Sequence, residues 1–280
     1  MHFIRRLSKF FFYHHVFMAV CAAVLCLQTL ILLNDGAIDY LLAGFMFAAT
    51  LFSYNLHFFL ASVKSDSSEQ LSWFRNTYRL TIIVNLLSLA ATLFLLIYLK
   101  DILYFVIAAV LLNASYTAPL LFKKSLKLPI LLTFIKSYFV GFTWAFATVV
   151  LPLVIIQKQP TIAEAAVFFH RFMLVSVATL LFDYRDKSRD LQWGVMTPAN
   201  LLTEKQYELF FALNVLFFTA SAIALMVVVP STWQWLQLLP CVYMWWLYRQ
   251  SKKRTDDLFY LSWVDGSLFL SAILSLFLLI

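Results

Sequence analysis

Charge is what this sequence most lacks. Only 12% of its 280 residues are Asp, Glu, Lys or Arg, against 63% hydrophobic residues and a mean hydropathy of +0.85. A water-soluble domain carries roughly a quarter charged residues, so a soluble globule is excluded. Glycine (5), proline (7) and cysteine (3) are scarce as well, which excludes a collagen-like chain, a low-complexity linker and a disulfide framework. Cys21, Cys26 and Cys241 form no Cys-x-x-Cys pair, and the first two lie inside an apolar run, where a thiol is a small core residue. The sequence also has no Gly-rich phosphate loop, no nucleophile elbow and no His/Cys zinc spacing, so P-loop, hydrolase and zinc-enzyme readings have no support.

What the sequence does have is apolar length. A helix crossing the hydrocarbon core needs about 20 apolar residues. The pattern predicts an all-α integral membrane protein with nine spans, roughly 14–33, 37–63, 78–99, 101–119, 128–151, 161–183, 206–229, 232–249 and 258–279. Charged or turn-forming separators divide them, such as Asn34-Asp35-Gly36 and Ser65-Asp66-Ser67-Ser68. The first 33 residues also have the layout of a signal peptide, but no small-x-small cleavage site stands out, so a retained first helix is expected.

The basic residues test that count independently. With nine spans, 17 of the 21 Lys and Arg fall on one side: the N-terminus and the segments after the second, fourth, sixth and eighth spans. The other side has only Lys100 and Lys158, while Lys136 and Arg171 lie within spans. Cytoplasmic loops carry the positive charge, so the N-terminus is expected inside. The net charge of +7 is therefore a topology signal, because nucleic-acid binding requires basic residues gathered on one solvated face.

Polar side chains inside spans are costly, so their depth is informative. Asn55, His57, Asn85, Asn113, Tyr116, Lys136, Asp183, Asn214 and Asp265 all fall in the predicted cytoplasmic half. The outer half offers mainly Gln28, Thr148 and Glu164, with His170 and Arg171 near mid-depth. This predicts a polar central cavity open to the cytoplasm; interhelical hydrogen bonding is the plainer reading of any single Asn.

The sharpest local feature is Asp183-Tyr184-Arg185-Asp186-Lys187-Ser188-Arg189-Asp190. On a continuous helix the three Asp residues fall within about 60° of arc, with Arg185 and Arg189 pointing elsewhere and Lys187 at the edge. Three stacked carboxylates repel unless a cation lies between them, and oxygen ligands at a cavity mouth suit Mg²⁺. The competing reading is a run of alternating charge in which each Asp pairs with a neighbouring Arg or Lys. The charge pattern alone leaves both open.

Taken together, these residues resemble the UbiA superfamily of intramembrane prenyltransferases, whose members have nine transmembrane helices and Asp-rich motifs after the second and sixth. Asp183, Asp186 and Asp190 match the second motif, Asp-x-x-Asp-x-x-x-Asp, and Gly194 with Thr197-Pro198 resembles its continuation. Ser115-Tyr116-Thr117-Ala118-Pro119, followed by Lys136, looks like the family's Tyr-Ser-x-Pro segment and its Lys; Trp144 and Leu151-Pro152 fit the helix beyond. The first motif departs from Asn-Asp-x-x-Asp-x-x-x-Asp: only Asn55 is kept, with Asp66 and Glu69 just downstream.

The resemblance implies a single domain over 1–280 and Mg²⁺-dependent transfer of an isoprenyl group from a prenyl diphosphate to a lipophilic membrane acceptor. It implies that Asp183, Asp186 and Asp190 hold Mg²⁺, that Lys136, Asn55, Arg75 and Arg79 bind diphosphate, and that Tyr116 and His57 line the substrate pocket. It singles out no catalytic residue. A multi-pass protein of a bacterial cytoplasmic membrane is expected. The alternative is a non-catalytic isoprenoid-binding or partner-binding protein of the same fold, as loss of the first motif's carboxylates would leave. A small transporter is a third reading, but five glycines and no evident repeat argue against it.

Overall fold

A computed structural model of the chain describes residues 2–34, 36, 38–64, 68–121, 130–192, 196–229 and 234–275, with side chains omitted at 2–3, 64, 115–121, 130–134 and 192. Among these residues every regular element is helical. In order they are α1 (His2–Tyr13), α2 (Val16–Leu33), α3 (Tyr40–Lys64), α4 (Glu69–Asn76), α5 (Tyr78–Tyr98), α6 (Leu103–Leu121), α7 (Ile130–Ala145), α8 (Leu151–Ile155), α9 (Ile162–Gln192), α10 (Pro198–Leu201), α11 (Glu204–Val228), α12 (Leu239–Ser251), α13 (Asp257–Phe259) and α14 (Gly266–Leu274). Long apolar runs leave no water for the backbone, so each run satisfies its own N–H and C=O groups as a helix. Side chains fasten the helix starts: Ser68 Oγ accepts from Leu71 N at 3.2 Å, and Asp256 Oδ1 accepts from Phe259 N at 2.9 Å.

Among the described residues seven helices are long and apolar enough to cross a membrane: Val16–Leu33, Tyr40–Val63, Tyr78–Tyr98, Ile135–Ile155, Ile162–Leu191, Glu204–Val228 and Asp257–Leu274. The chain thus has the helices of a multi-pass membrane protein. Two of the expected spans fall outside this set. One corresponds to α6, whose side chains are described only as far as Ala114. The other corresponds to α12, which has 13 residues and follows a 3₁₀ turn at Gln234–Leu238.

Two π turns interrupt the helices. In the first, Phe146–Val150 joins α7 to α8 just before Pro152. Proline has no N–H to donate and its ring crowds the carbonyl four residues back, here that of Thr148, so the helix widens. The released Thr148 carbonyl accepts instead from Thr29 Oγ1 of α2 at 2.7 Å. The second, Tyr260–Val264, joins α13 to α14, and Asp265 N reaches back five residues to Tyr260 O at 3.1 Å.

Arg171 sits at the centre of the bundle, 1% exposed. Its Nη1 donates to Leu25 O (3.0 Å) and Thr148 Oγ1 (2.7 Å), and its Nη2 to Gln28 Oε1 (2.5 Å). Gln28 Nε2 continues to Ser275 Oγ (2.8 Å) and Ser271 O (2.9 Å), the carbonyl that also accepts from Gln237 Nε2 (3.0 Å). One neutral network thereby ties α2, α9, the first π turn, α14 and the 3₁₀ turn.

The most extensive helix pairing is between α7 and α9. It depends on Gly141, where a Cβ would lie 2.1 Å from Ser176 Oγ and 2.7 Å from the Phe172 carbonyl. Only a hydrogen fits there, and close backbone approach through small residues is how membrane helices pack.

Candidate functional site

At 1.5 Å per residue the 31-residue α9 is about 46 Å long, well beyond a hydrocarbon core of about 30 Å. Its last three turns carry Asp183, Asp186 and Asp190 to one end of the bundle. Lys136, on α7 and one and a half turns before Gly141, meets them there. Lys136 Nζ donates to Asp183 Oδ1 at 3.0 Å and Asp190 Oδ2 at 3.4 Å, and the Ser137 hydroxyl donates to Asp183 Oδ2. Two carboxylates thus converge on one cationic nitrogen.

Asp186 is held differently. Arg185 grips it with Nε to Oδ1 at 2.7 Å and Nη2 to Oδ2 at 3.1 Å, and Arg189 Nη2 also donates to Oδ2. Arg185 and Arg189, expected away from the acidic face, therefore both turn onto its middle carboxylate, because a side chain as long as Arg spans the intervening arc. Arg185 is itself packed between the Phe182 and Tyr260 rings, at 5.0 and 4.9 Å from their centroids. It reaches α13 as well, with Nη1 3.3 Å from Asp257 Oδ1. Lys187, at the edge as expected, pairs with Glu204 Oε1 at 2.7 Å.

From Asp257 a hydrogen-bonded path runs to α4 and the start of α2. Gln70 N donates to Asp257 Oδ2 at 2.9 Å, and the Gln70 side-chain amide donates to Tyr13 O (3.1 Å) and His15 Nε2 (2.9 Å). Since His15 Nε2 accepts, its ring is neutral with the proton on Nδ1. Trp73 Nε1 donates to His14 Nδ1 at 3.1 Å, which makes His14 neutral too, with its Nε2–H directed at Thr81 Oγ1, 3.2 Å away. His15 takes the left-handed conformation (φ 56°) that lets α1 turn into α2.

Most of the other residues expected at the site have a definite place. Asn55 is fully buried, but its Nδ2 donates to His14 O (2.6 Å) and Leu51 O (2.8 Å), tying α3 to the α1–α2 turn. His57 packs its ring 5.4 Å from that of Phe58 on α3. Arg75 is exposed and donates to Ser62 O at 3.1 Å. Arg79 is exposed two residues before Thr81, hence about 200° around α5 from the Thr81, Asn85 and Ser88 stripe that is buried. It stacks on Tyr78 and donates Nε to that hydroxyl at 2.9 Å. Asp265 is 2% exposed and its carboxylate accepts no hydrogen bond from the described residues. The Tyr116 side chain, Asp66 and Gly194 lie outside the described residues. Glu69 starts α4, accepting from Lys9 Nζ and, at 2.8 Å, from the Tyr13 hydroxyl. Lys9 holds the Glu69 carboxyl below the usual range, while burial, reinforced by Glu69, pushes the Tyr13 hydroxyl up.

Sequence reasoning missed Asp257, Gln70 and the paired histidines. The signal for Asp257 was available: of the adjacent acids Asp256 and Asp257, one caps α13 and the other is left to face Arg185. Gln70 has no such signal, because its partners are 55 or more residues away in sequence. Among the described residues no group of three or more His, Cys, Asp or Glu is placed to share a metal ion. The donor chemistry does suit a hard cation at one position, between Asp183 and Asp190, where Lys136 Nζ now lies. Comparison with protein-family models, curated proteins and solved structures gave no match to this chain.

Proposed function

We propose that the chain is a divergent member of the UbiA superfamily and transfers an isoprenyl group from a prenyl diphosphate to a lipophilic acceptor in the membrane. The observation that carries this reading is the convergence of Asp183 and Asp190 on one cationic nitrogen at the end of an apolar helical bundle. In such a reaction the allylic C–O bond breaks, its electron pair leaves with diphosphate, and the acceptor captures the carbocation and then loses a proton. Asp183 and Asp190 would hold Mg²⁺, whose chemistry here is to take up the negative charge of the leaving group. Lys136, Arg185 and Arg189 supply positive charge for the diphosphate oxygens. Tyr54 and Trp144, joined by a 3.0 Å hydrogen bond from Trp144 Nε1 to the Tyr54 hydroxyl, present aromatic surface toward a developing cation.

The reading includes nine spans around a cavity open to the cytoplasm, the N-terminus inside, and a bacterial cytoplasmic membrane. Supporting the count, α12 and its 3₁₀ turn together extend about 30 Å, enough to cross. Supporting the orientation, the pairs Lys9–Glu69, Lys187–Glu204, Lys252–Glu208 and Arg185–Asp257 join the basic segments that the alternation assigns to one side, whereas Lys158–Glu164 joins α8 to the start of α9.

A second reading, a non-catalytic isoprenoid- or partner-binding protein, is favoured by one observation: Asp186 already has two guanidinium partners. Binding of farnesyl and geranylgeranyl diphosphate to the purified protein, with and without Mg²⁺, separates the two. The first reading expects Mg²⁺-dependent binding that is lost in both Asp183→Asn and Asp190→Asn. Binding indifferent to Mg²⁺ and to both substitutions supports the second, and no binding under any condition sinks the first and leaves only the partner-binding form of the second.

A further inference from the structure

A second cationic site lies away from the acidic cluster, where α1 meets the start of α5. An open groove of ≈ 230 Å³ is lined by Arg6, Asn76, Thr77, Tyr78, Arg79 and Leu80. Its lining among the described residues has two guanidinium groups and no carboxylate. Among the described residues Arg6 has no ion pair or hydrogen bond, and Arg79 commits only its Nε, to Tyr78. Thr77 does not cap α5, since its hydroxyl donates to Trp73 O at 2.8 Å. The first-turn amides of α5 therefore add donors beside the two guanidiniums.

The surroundings identify the kind of anion. Below the groove α5 is largely uncovered: of its 21 residues Thr81, Asn85 and Ser88 are buried, and Leu80, Ile83 and Leu87 are exposed. On the other side α1 combines Arg5, Arg6 and Lys9 with Ile4 and Leu7, which are 72% and 57% exposed, the makeup of a helix lying in a membrane interface. A free phosphate would use the guanidiniums and leave the apolar surface bare. An anionic phospholipid uses both, its phosphate in the groove and its acyl chains along α5.

We infer that the Arg6–Arg79 groove is a headgroup site for an anionic phospholipid, which docks α1 against the start of α5. This takes Arg79 out of diphosphate binding and stands independently of the prenyl-transfer reading. The test is native mass spectrometry of the full chain, purified in detergent and delipidated, titrated with phosphatidylglycerol and with phosphatidylcholine of the same acyl chains. Wild type is expected to prefer phosphatidylglycerol by roughly thirtyfold, from two basic groups near a headgroup. Arg6→Gln with Arg79→Gln should bring the ratio near one, while Arg6→Lys with Arg79→Lys and the distant Arg254→Gln retain it. Both arginines are only lightly engaged, so an unchanged size-exclusion profile verifies folding, and the Lys pair separates loss of charge from loss of fold. Equal affinity for the two lipids in wild type, or a preference that survives the double Gln substitution, overturns the inference. Displacement of phosphatidylglycerol by millimolar inorganic phosphate also overturns it, reassigning the groove to a free anion.

Discussion

The helix α9 carries two polar centres about 18 Å apart, and they are built on opposite principles. Arg171 is a fully buried cation whose hydrogen-bond partners are all neutral: two carbonyl oxygens, one from the backbone and one from an amide, and a hydroxyl. At the end of the same helix Lys136, Arg185 and Arg189 each meet a carboxylate. Dipoles from α2 and the first π turn fix Arg171 in place, and displacing any one strands the rest in apolar surroundings. At the terminal centre the Lys136 side chain is 26% exposed and meets two carboxylates, so another cation can take its position. The deep centre is therefore suited to holding the bundle together, and the terminal one to exchanging partners.

The sharpest way to break this contrast is at Arg171. Arg171→Ala removes three charged hydrogen bonds and leaves a cavity among five elements, so a loss of about 4 kcal/mol is expected, read as a fall in Tm larger than that of Lys136→Met or Glu69→Gln. A loss below about 1 kcal/mol would mean that the neutral network is incidental. The next largest effect is expected from Lys136→Met, about 2 kcal/mol, because Asp183 and Asp190 then face each other without a cation. Mg²⁺ should restore Tm in this variant more than it raises it in wild type, through preferential binding to the folded state. Equal responses would deny that the position exchanges cations.

The smallest effect should come from Glu69→Gln, at roughly 0.5 kcal/mol, since that pair is solvent-exposed. Its pH dependence has a defined sign. The folded carboxyl titrates below its ordinary value of 4.5, so its contribution is complete above that pH and is lost as the pH falls through the lowered value. The hydrogen-exchange protection factors of α1, taken relative to the intrinsic rate at each pH, should fall in acid in wild type and already be low at neutral pH in Glu69→Gln.

Much of the architecture was legible because apolar length and loop charge are local properties. Seven of the expected spans reappear among the described residues as helices long enough to cross, while α9 runs unbroken beyond the expected end of its span at 183 and through the three Asp residues. What spacing along the chain does not provide is the partner of each group. Lys136 and Asp183 are 47 residues apart, and only the α7–α9 packing brings them together. The pairing reading of the acidic run holds for Asp186, which pairs with its chain neighbours, whereas Asp183 and Asp190 share the ammonium of Lys136 from another helix. The first π turn has a sequence mark in Pro152; nothing in the sequence explains the second. The short helix α4, hidden in a separator, was missed because its eight residues carry no membrane-span signal, yet its Gln70 links the histidine pair to Asp257.

Gly141 gives this arrangement an unexpected vulnerability. It has no functional group, lies five residues beyond Lys136, and still sets how closely α7 can approach α9. A methyl group there would act as a wedge between two backbones and slide the Lys136 ammonium relative to the two carboxylates that receive it. A survey of variants confined to polar positions would overlook the residue, although its tolerance for change is narrower than that of most side chains that make contacts. In this protein the fit of charge to charge is machined at a position that carries none.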